Sequence, residues 1–273
     1  EEKVLKLLVR FSIPAIIGML VNALYNIVDR IFIGNGVNTL AIAGASIGFP
    51  IMLVLMASAM LIGIGANSLV AIRLGEQKKE EAELIMGNAL VLLIALPAVI
   101  AVLGLIFLEP LLITFGASEA VLPYAMDYLR VILWGAVFQS VGMGMNNFIR
   151  SEGNPKIAMY TMLIGAFLNT VLDYVFVFPL QMGVAGAAYA TIISQAVSAI
   201  WVMYHFLYGN STLKLRMKNL TLKLAIVGKI LAIGAAPFLM QLAASVLNAI
   251  MNRSLSVYGG DIAVSAMSAV SSI

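Results

Sequence analysis

The sequence predicts an all-α integral membrane protein: a six-helix transmembrane bundle followed by the first one to two helices of a repeated second bundle. Three observations carry that prediction. Of 273 residues, 62% are hydrophobic and only 11% charged, against about 25% charged in an ordinary soluble domain; the mean hydropathy is +1.03. The apolar runs reach about 20 residues or more and lack the alternation of lipid-facing strands, so they fit helices rather than a barrel. The chain also repeats itself at an offset of 223 residues. The expected units are residues 1–207 as the first bundle, 208–222 as a basic linker, and 223–273 as the start of the second bundle.

Taken in order, the first span is Leu7–Gly34 and the second Leu40–Leu74, a long run with Gly48 and Pro50 near its start. The third is Ala82–Leu108, the fourth Leu122–Ile149, the fifth Ile157–Phe178 and the sixth Val184–Leu207. A seventh covers Leu222–Tyr258, and an eighth begins near Ile262. No leader with a short apolar core and cleavage site precedes the first run, so it reads as a mature helix. Glycines at Gly142 and Gly144, and the run Gly183-Val184-Ala185-Gly186-Ala187-Ala188, predict close helix approach in spans four and six.

Charge placement sets the expected orientation. Lys3, Lys6 and Arg10 precede span one, and Arg73, Lys78 and Lys79 follow span two. Arg150 and Lys156 bracket the turn after span four, and Lys214, Arg216, Lys218, Lys223 and Lys229 surround the linker. That puts 13 of the 16 Lys and Arg on one side, which the positive-inside rule makes cytoplasmic, N-terminus included. The opposite connections at 35–39, 109–121 and 179–183 carry no Lys or Arg. The basic run from Lys214 to Lys223 reads as a positive-inside linker rather than a lipid or nucleic-acid patch, so no nucleic-acid partner is expected.

In the repeat, Lys6 meets Lys229, Pro14 meets Pro237, Arg30 meets Arg253 and Gly36 meets Gly259. Apolar matches are cheap in this composition; Pro, Arg and Gly in one register are not, because each does specific backbone or charge work. Six spans separate the copies, so both enter from the same side. Parallel repeats about an axis along the membrane normal are a plan used by transporters. A second bundle that begins and stops within its second helix implies an incomplete chain.

Two aspartates stand inside the apolar spans, Asp29 and Asp173. Such residues usually face a protein interior or wet cavity and mark an ion, proton or substrate path. Asp29 lies five residues before Gly34 and Asp173 six before Pro179, which places each roughly 8–9 Å inside its helix end. Asn169 shares a helical face with Asp173, and Thr191 falls at similar depth on span six. Carboxylates with amide and hydroxyl oxygens suit Na⁺, and two neighbouring carboxylates can share a proton. Plainer readings stay open: Asp29 paired with Arg30 at the membrane edge, Thr191 bonded to its own helix carbonyl, and Asn22, Asn26, Asn146 and Asn147 as interhelical hydrogen-bonding residues. Tyr25, a turn before Asp29, and Tyr128 add polar candidates.

Several chemistries are excluded by composition. There is no cysteine and one histidine, His205, so disulfides, thiolate sites and a two-histidine zinc motif are ruled out. Two aspartates alone could form a protease dyad, but neither has the glycine-flanked setting expected for one, and no enzyme is expected.

The order Phe11-Ser12-Ile13-Pro14, Tyr25-Asn26-Ile27-Val28-Asp29, Leu40-Ala41-Ile42-Ala43-Gly44, Gly63-Ile64-Gly65-Ala66, Ile149-Arg150-Ser151-Glu152-Gly153-Asn154-Pro155-Lys156, Leu168-Asn169-Thr170-Val171-Leu172-Asp173 and Gly183 through Thr191 resembles the multidrug and toxic compound extrusion (MATE) family, and most its prokaryotic DinF-like branch. The resemblance implies a truncated twelve-helix transporter of two lobes in the prokaryotic cytoplasmic membrane. It implies export of cationic or amphipathic small molecules against H⁺ or Na⁺, with no other cofactor, and a need for the missing C-terminal lobe. It further implies that Asp29, Asn169, Asp173 and Thr191 carry the coupling ion, Na⁺ included, and that Tyr25, Asn22, Tyr128 and Asn146 line the cavity. The position matching Asp29 in the second copy is Asn252, so that copy lacks the carboxylate. A lipid-linked oligosaccharide flippase of the same superfold is the alternative, but only Arg30 and Arg130 are basic in the outer half of the first bundle, too little for a pyrophosphate headgroup.

Overall fold

The computed structural model describes residues 4–270. Side chains at 4–7, 10, 22, 26, 268 and 269 lie outside the described set. The described residues form nine α-helices: α1 Val4–Gly36, α2 Thr39–Ile47, α3 Phe49–Gly75, α4 Lys79–Ile106, α5 Leu108–Thr114, α6 Leu122–Ser151, α7 Pro155–Val177, α8 Gly183–Leu207 and α9 Leu224–Val270. One turn of 3₁₀ helix, Met217–Leu220, interrupts the segment between α8 and α9.

The second span differs from its sequence reading, since it is broken into α2 and α3. Gly48 caps one helix and starts the next, with Pro50 in the first turn of α3, where a missing N–H costs nothing. A side chain on Gly48 would run into Leu129 of α6, so the break lies where the chain must pass close to its neighbour. Asn38 caps α2 by accepting the Ala41 amide at 2.8 Å, and its Nδ2 donates to the Tyr124 hydroxyl at 2.8 Å.

Among the described residues, six helices are long and apolar enough to cross a membrane: α1, α3, α4, α7, α8 and α9. The fourth expected span, α6, has the length but not the same apolarity. It is packed against α2, α3, α4 and α8, so protein rather than lipid surrounds much of it, and it can carry polar residues. Gly135 abuts Ile192 and Gly142 abuts Ala199, so α6 runs parallel to α8 and spans whatever α8 spans.

Packing partners fix the remaining directions. Gly18 meets Met162, and Gly36 meets Val177 and Phe178; α1 and α7 are therefore parallel neighbours in one steady register. Phe32 packs edge-on to Phe178, with ring centroids 5.7 Å apart, near the end of that seam. Helix α8 lies antiparallel to α7, and α9 antiparallel to α3.

At the repeat register, α9 breaks at Gly260, with φ of 65°, beside the glycine that matches the end of α1. Both copies therefore leave their first long helix at the same place. On α3 and α9, Gly65 and Gly234 bring the backbones together, and a Cβ on Gly234 would strike the Leu61 carbonyl. Small residues permit this approach in membranes.

Candidate ion site between α1 and α7

The parallel seam of α1 and α7 decides what the aspartates do. The offset that aligns Gly18 with Met162 also aligns Asp29 with Asp173, and the two carboxyl groups come within hydrogen-bonding reach of each other. Asp173 is fully buried, at 0% exposure. Among the described residues no N–H or O–H donor serves either oxygen of Asp173, nor Oδ1 of Asp29. Two carboxylates can bond only if one carries a proton, since an ionised carboxylate only accepts. A shared cation or proton would meet these oxygens, and an unsatisfied buried polar atom otherwise costs about 1–3 kcal/mol, more when charged.

Asn169, one turn before Asp173, is buried at 2% exposure. Its Nδ2 donates weakly to Thr191 Oγ1 at 3.4 Å, and its Oδ1 has no donor among the described residues. Thr191 is thus directed across the α7–α8 interface toward Asn169. The open oxygens of Asp29, Asn169 and Asp173, with the Thr191 hydroxyl, are hard donors of the type Na⁺ takes.

Around this set, Tyr128 of α6 is buried within electrostatic reach of Asp29, Tyr25, Asp173 and Arg30. Arg30 interacts with Asp29 as well, so the sequence's two readings of Asp29, ion-pair partner and carboxyl partner, coexist. A cleft of about 40 Å³ opens beside Asp29, lined also by Arg30, Tyr128, Ser46, Phe49 and Met52, while Asp173 lies outside its lining; that volume has room for a water or two.

Asn146 lies elsewhere. It donates to the Ala158 carbonyl at 3.0 Å and to Thr161 Oγ1 at 2.5 Å, tying α6 to α7. It is 18 residues along α6 from Tyr128, about 27 Å at the helical rise, so the structure does not bring it to the aspartates. Asn22, the other asparagine expected to line the cavity, has its side chain outside the described residues.

Three polar side chains buried near the basic end were given no role from sequence: Glu83, Asn88 and Glu152, the last named only within the run Ile149–Lys156. Charge and amide at helix ends read as solvated; only the packed structure shows them holding the segment after α8.

A helical membrane fold with a repeated first helix and a buried carboxyl pair inside one bundle defines a class, the polytopic transporters. The MatE family model matches residues 14–175, more than half of the chain, and the chain belongs to this MATE family of transporters, not to an enzyme family. It is 30% identical over 259 residues to the multidrug export protein MepA of Staphylococcus haemolyticus, an alignment covering 95% of this chain and 57% of that protein. The chain thus spans a little over half the length of the curated relatives it matches. Among solved structures it is similar to a ligand complex of the MATE multidrug transporter DinF-BH: TM-score 0.94, 42% identity, 99% of this chain and 61% of that one. An inward-facing MATE transporter of the MOP superfamily aligns with TM-score 0.87 and 31% identity over 96% of this chain and 60% of that one.

Proposed function

We propose that this chain supplies the ion-coupled bundle of a secondary antiporter that exports cationic or amphipathic compounds in exchange for H⁺ or Na⁺. The observation that carries the reading is the meeting of Asp29 and Asp173 inside the bundle, with oxygens left open. Two ionised carboxylates at that distance repel in a poorly solvated interior. Arg30 balances only part of their charge, and a proton or Na⁺ relieves the rest. Asn169 Oδ1 and Thr191 Oγ1 would complete an oxygen shell for Na⁺, while Tyr25 and Tyr128 would wall the cavity. A cationic substrate and the coupling ion then compete for one negative charge, and exchange follows when each is released on the opposite side. The multidrug export of MepA and the multidrug transport of DinF-BH support this substrate class. The positive-inside pattern supports a prokaryotic cytoplasmic membrane with the basic helix ends, and the N-terminus, inside. Residues 1–207 act as one lobe, and alternating access moves it against the lobe begun by α9.

The test is efflux of a fluorescent lipophilic cation, ethidium, from vesicles carrying the transporter with both lobes, with pH and Na⁺ gradients imposed separately. Asp173→Asn should abolish gradient-driven efflux with insertion intact, because it removes the titratable charge at nearly constant shape. Undiminished efflux by that variant would remove Asp173 from coupling.

A further inference from the structure

The segment joining α8 to α9 has the composition of a solvated tether, yet it is fastened along its length by buried polar side chains of the first bundle. Glu152, in the turn between α6 and α7, has a fully buried side chain. Its Oε2 accepts the Ser211 hydroxyl at 2.5 Å, the Thr212 amide at 3.0 Å and the Leu213 amide at 3.4 Å. Its Oε1 faces His205 Nε2 at the end of α8 and Asn154 Nδ2 at 3.3 Å. Next along the segment, Glu83 of α4, only 2% exposed, accepts the Lys214 amide at 3.1 Å and pairs with Arg216 Nε at 3.2 Å. A turn and a half further along α4, Asn88 accepts the Lys223 amide at 2.7 Å; its Nδ2, which also donates to the Leu84 carbonyl of its own helix at 2.9 Å, shares its other hydrogen between the carbonyls of Thr221 and Asn219, at 3.2 and 3.4 Å.

Between these anchors the backbone lies directly on α4. A Cβ on Gly87 would strike the Asn219 carbonyl, and Leu213 is fully buried. There is no slack at the far end either. The Lys223 carbonyl accepts the amides of Ile226 and Val227, at 2.8 and 3.0 Å, and so opens α9 while its own amide is held by Asn88.

We propose that residues 209–223 are a docked strap of the first bundle, with Glu152 as its principal positioning residue and Asn88 as the clamp that fixes the start of α9. The inference rests on no reading of what is transported. Its consequence is mechanical: a displacement of α4 or of the α6–α7 turn passes directly into the first turn of α9, and any relative motion of the two bundles takes place beyond that turn.

Hydrogen exchange on the intact protein in lipid nanodiscs tests this. In the wild type, amides of 212–214 and Lys223 should exchange about 100-fold or more slower than an unstructured peptide, as locally closed structure does. Glu152→Gln keeps the shape but turns a donor toward either the Thr212 and Leu213 amides or His205. It should speed exchange at 211–215 by about tenfold or more, the effect of losing one hydrogen bond to a charged group, and leave α3 and α6 unchanged. Asn88→Ala should do the same at 219–224. Unstructured-peptide rates in the wild type overturn the strap. Protection that neither variant alters, or that both alter uniformly through the bundle, overturns the assignment of the anchors. Should Glu152→Gln fail to fold, the Asn88→Ala response alone decides.

Discussion

Asp29 and Asp173 are each costly where they stand, and each is the other's nearest explanation. If they act as one site, removing either charge removes the need for the shared proton or Na⁺. The double variant Asp29→Asn/Asp173→Asn should then lose little more ion response than either single one, because effects of residues in direct contact are not additive. The measurement is the rise in melting temperature on adding Na⁺ or lowering pH, since a ligand bound only to the folded state stabilises it by mass action. Additive losses would separate the two carboxyls functionally. Arg30→Gln is expected to alter the ion response less than Asp29→Asn, because Asp29 retains its carboxyl partner; equal effects would return Asp29 to the role of a counter-ion. This part of the site was legible in sequence, because depth along a helix follows from residue count alone. For Asn146 the sequence left two readings open, because a polar side chain in an apolar helix shows need of a partner without showing which; the structure gives it the interhelical hydrogen bonds, to Ala158 and Thr161.

Helix seams belong to the next scale. The α3–α9 crossing is set by glycines rather than by side-chain shape, with Gly234 against the Leu61 carbonyl and Gly65 against Ile230. A methyl at Gly234 has only backbone to displace. Gly234→Ala should therefore cost about 1–3 kcal/mol, the usual penalty for overfilling a packed contact, seen as a lower melting temperature in detergent. Gly228→Ala on the same helix is the control: nothing lies within 4 Å of its Cβ, and the gain in helix propensity should leave it neutral or slightly stabilised. A Gly234→Ala protein as stable as that control would show that the helices slide freely past one another. The glycines themselves were visible in sequence, but not which of them face another backbone. The break between α2 and α3 was missed for a related reason. An apolar run shows no seam, and Gly48 with Pro50 can bend or simply pack a helix until Leu129 is placed against it.

For the molecule as a whole, the arrangement of helices makes topology testable. Asn38 caps α2, and replacing it would cost about 1 kcal/mol; Asn35, exposed at the same end, is the better probe. Single cysteines at Asn35 and Lys218, introduced into a chain that has none, should label from opposite sides of the membrane in intact cells. Labelling of both from one side would refute the topology.

The residue pattern by itself determined a helical membrane protein, the approximate spans, the parallel repeat at 223 residues and the common depth of Asp29, Asp173, Asn169 and Thr191. All of these follow from hydropathy, charge and helical rise, which are properties of position along the chain. Tertiary structure alone decided which helix faces meet: that α1 and α7 lie parallel so that two carboxyls face each other, that α6 packs against α2, α3, α4 and α8, and that Glu152, Glu83 and Asn88 bind down a segment composed like a loose tether. Rotation of a helix about its axis is set by the sum of many weak packing contacts with distant partners, and a single sequence carries no marker of that sum.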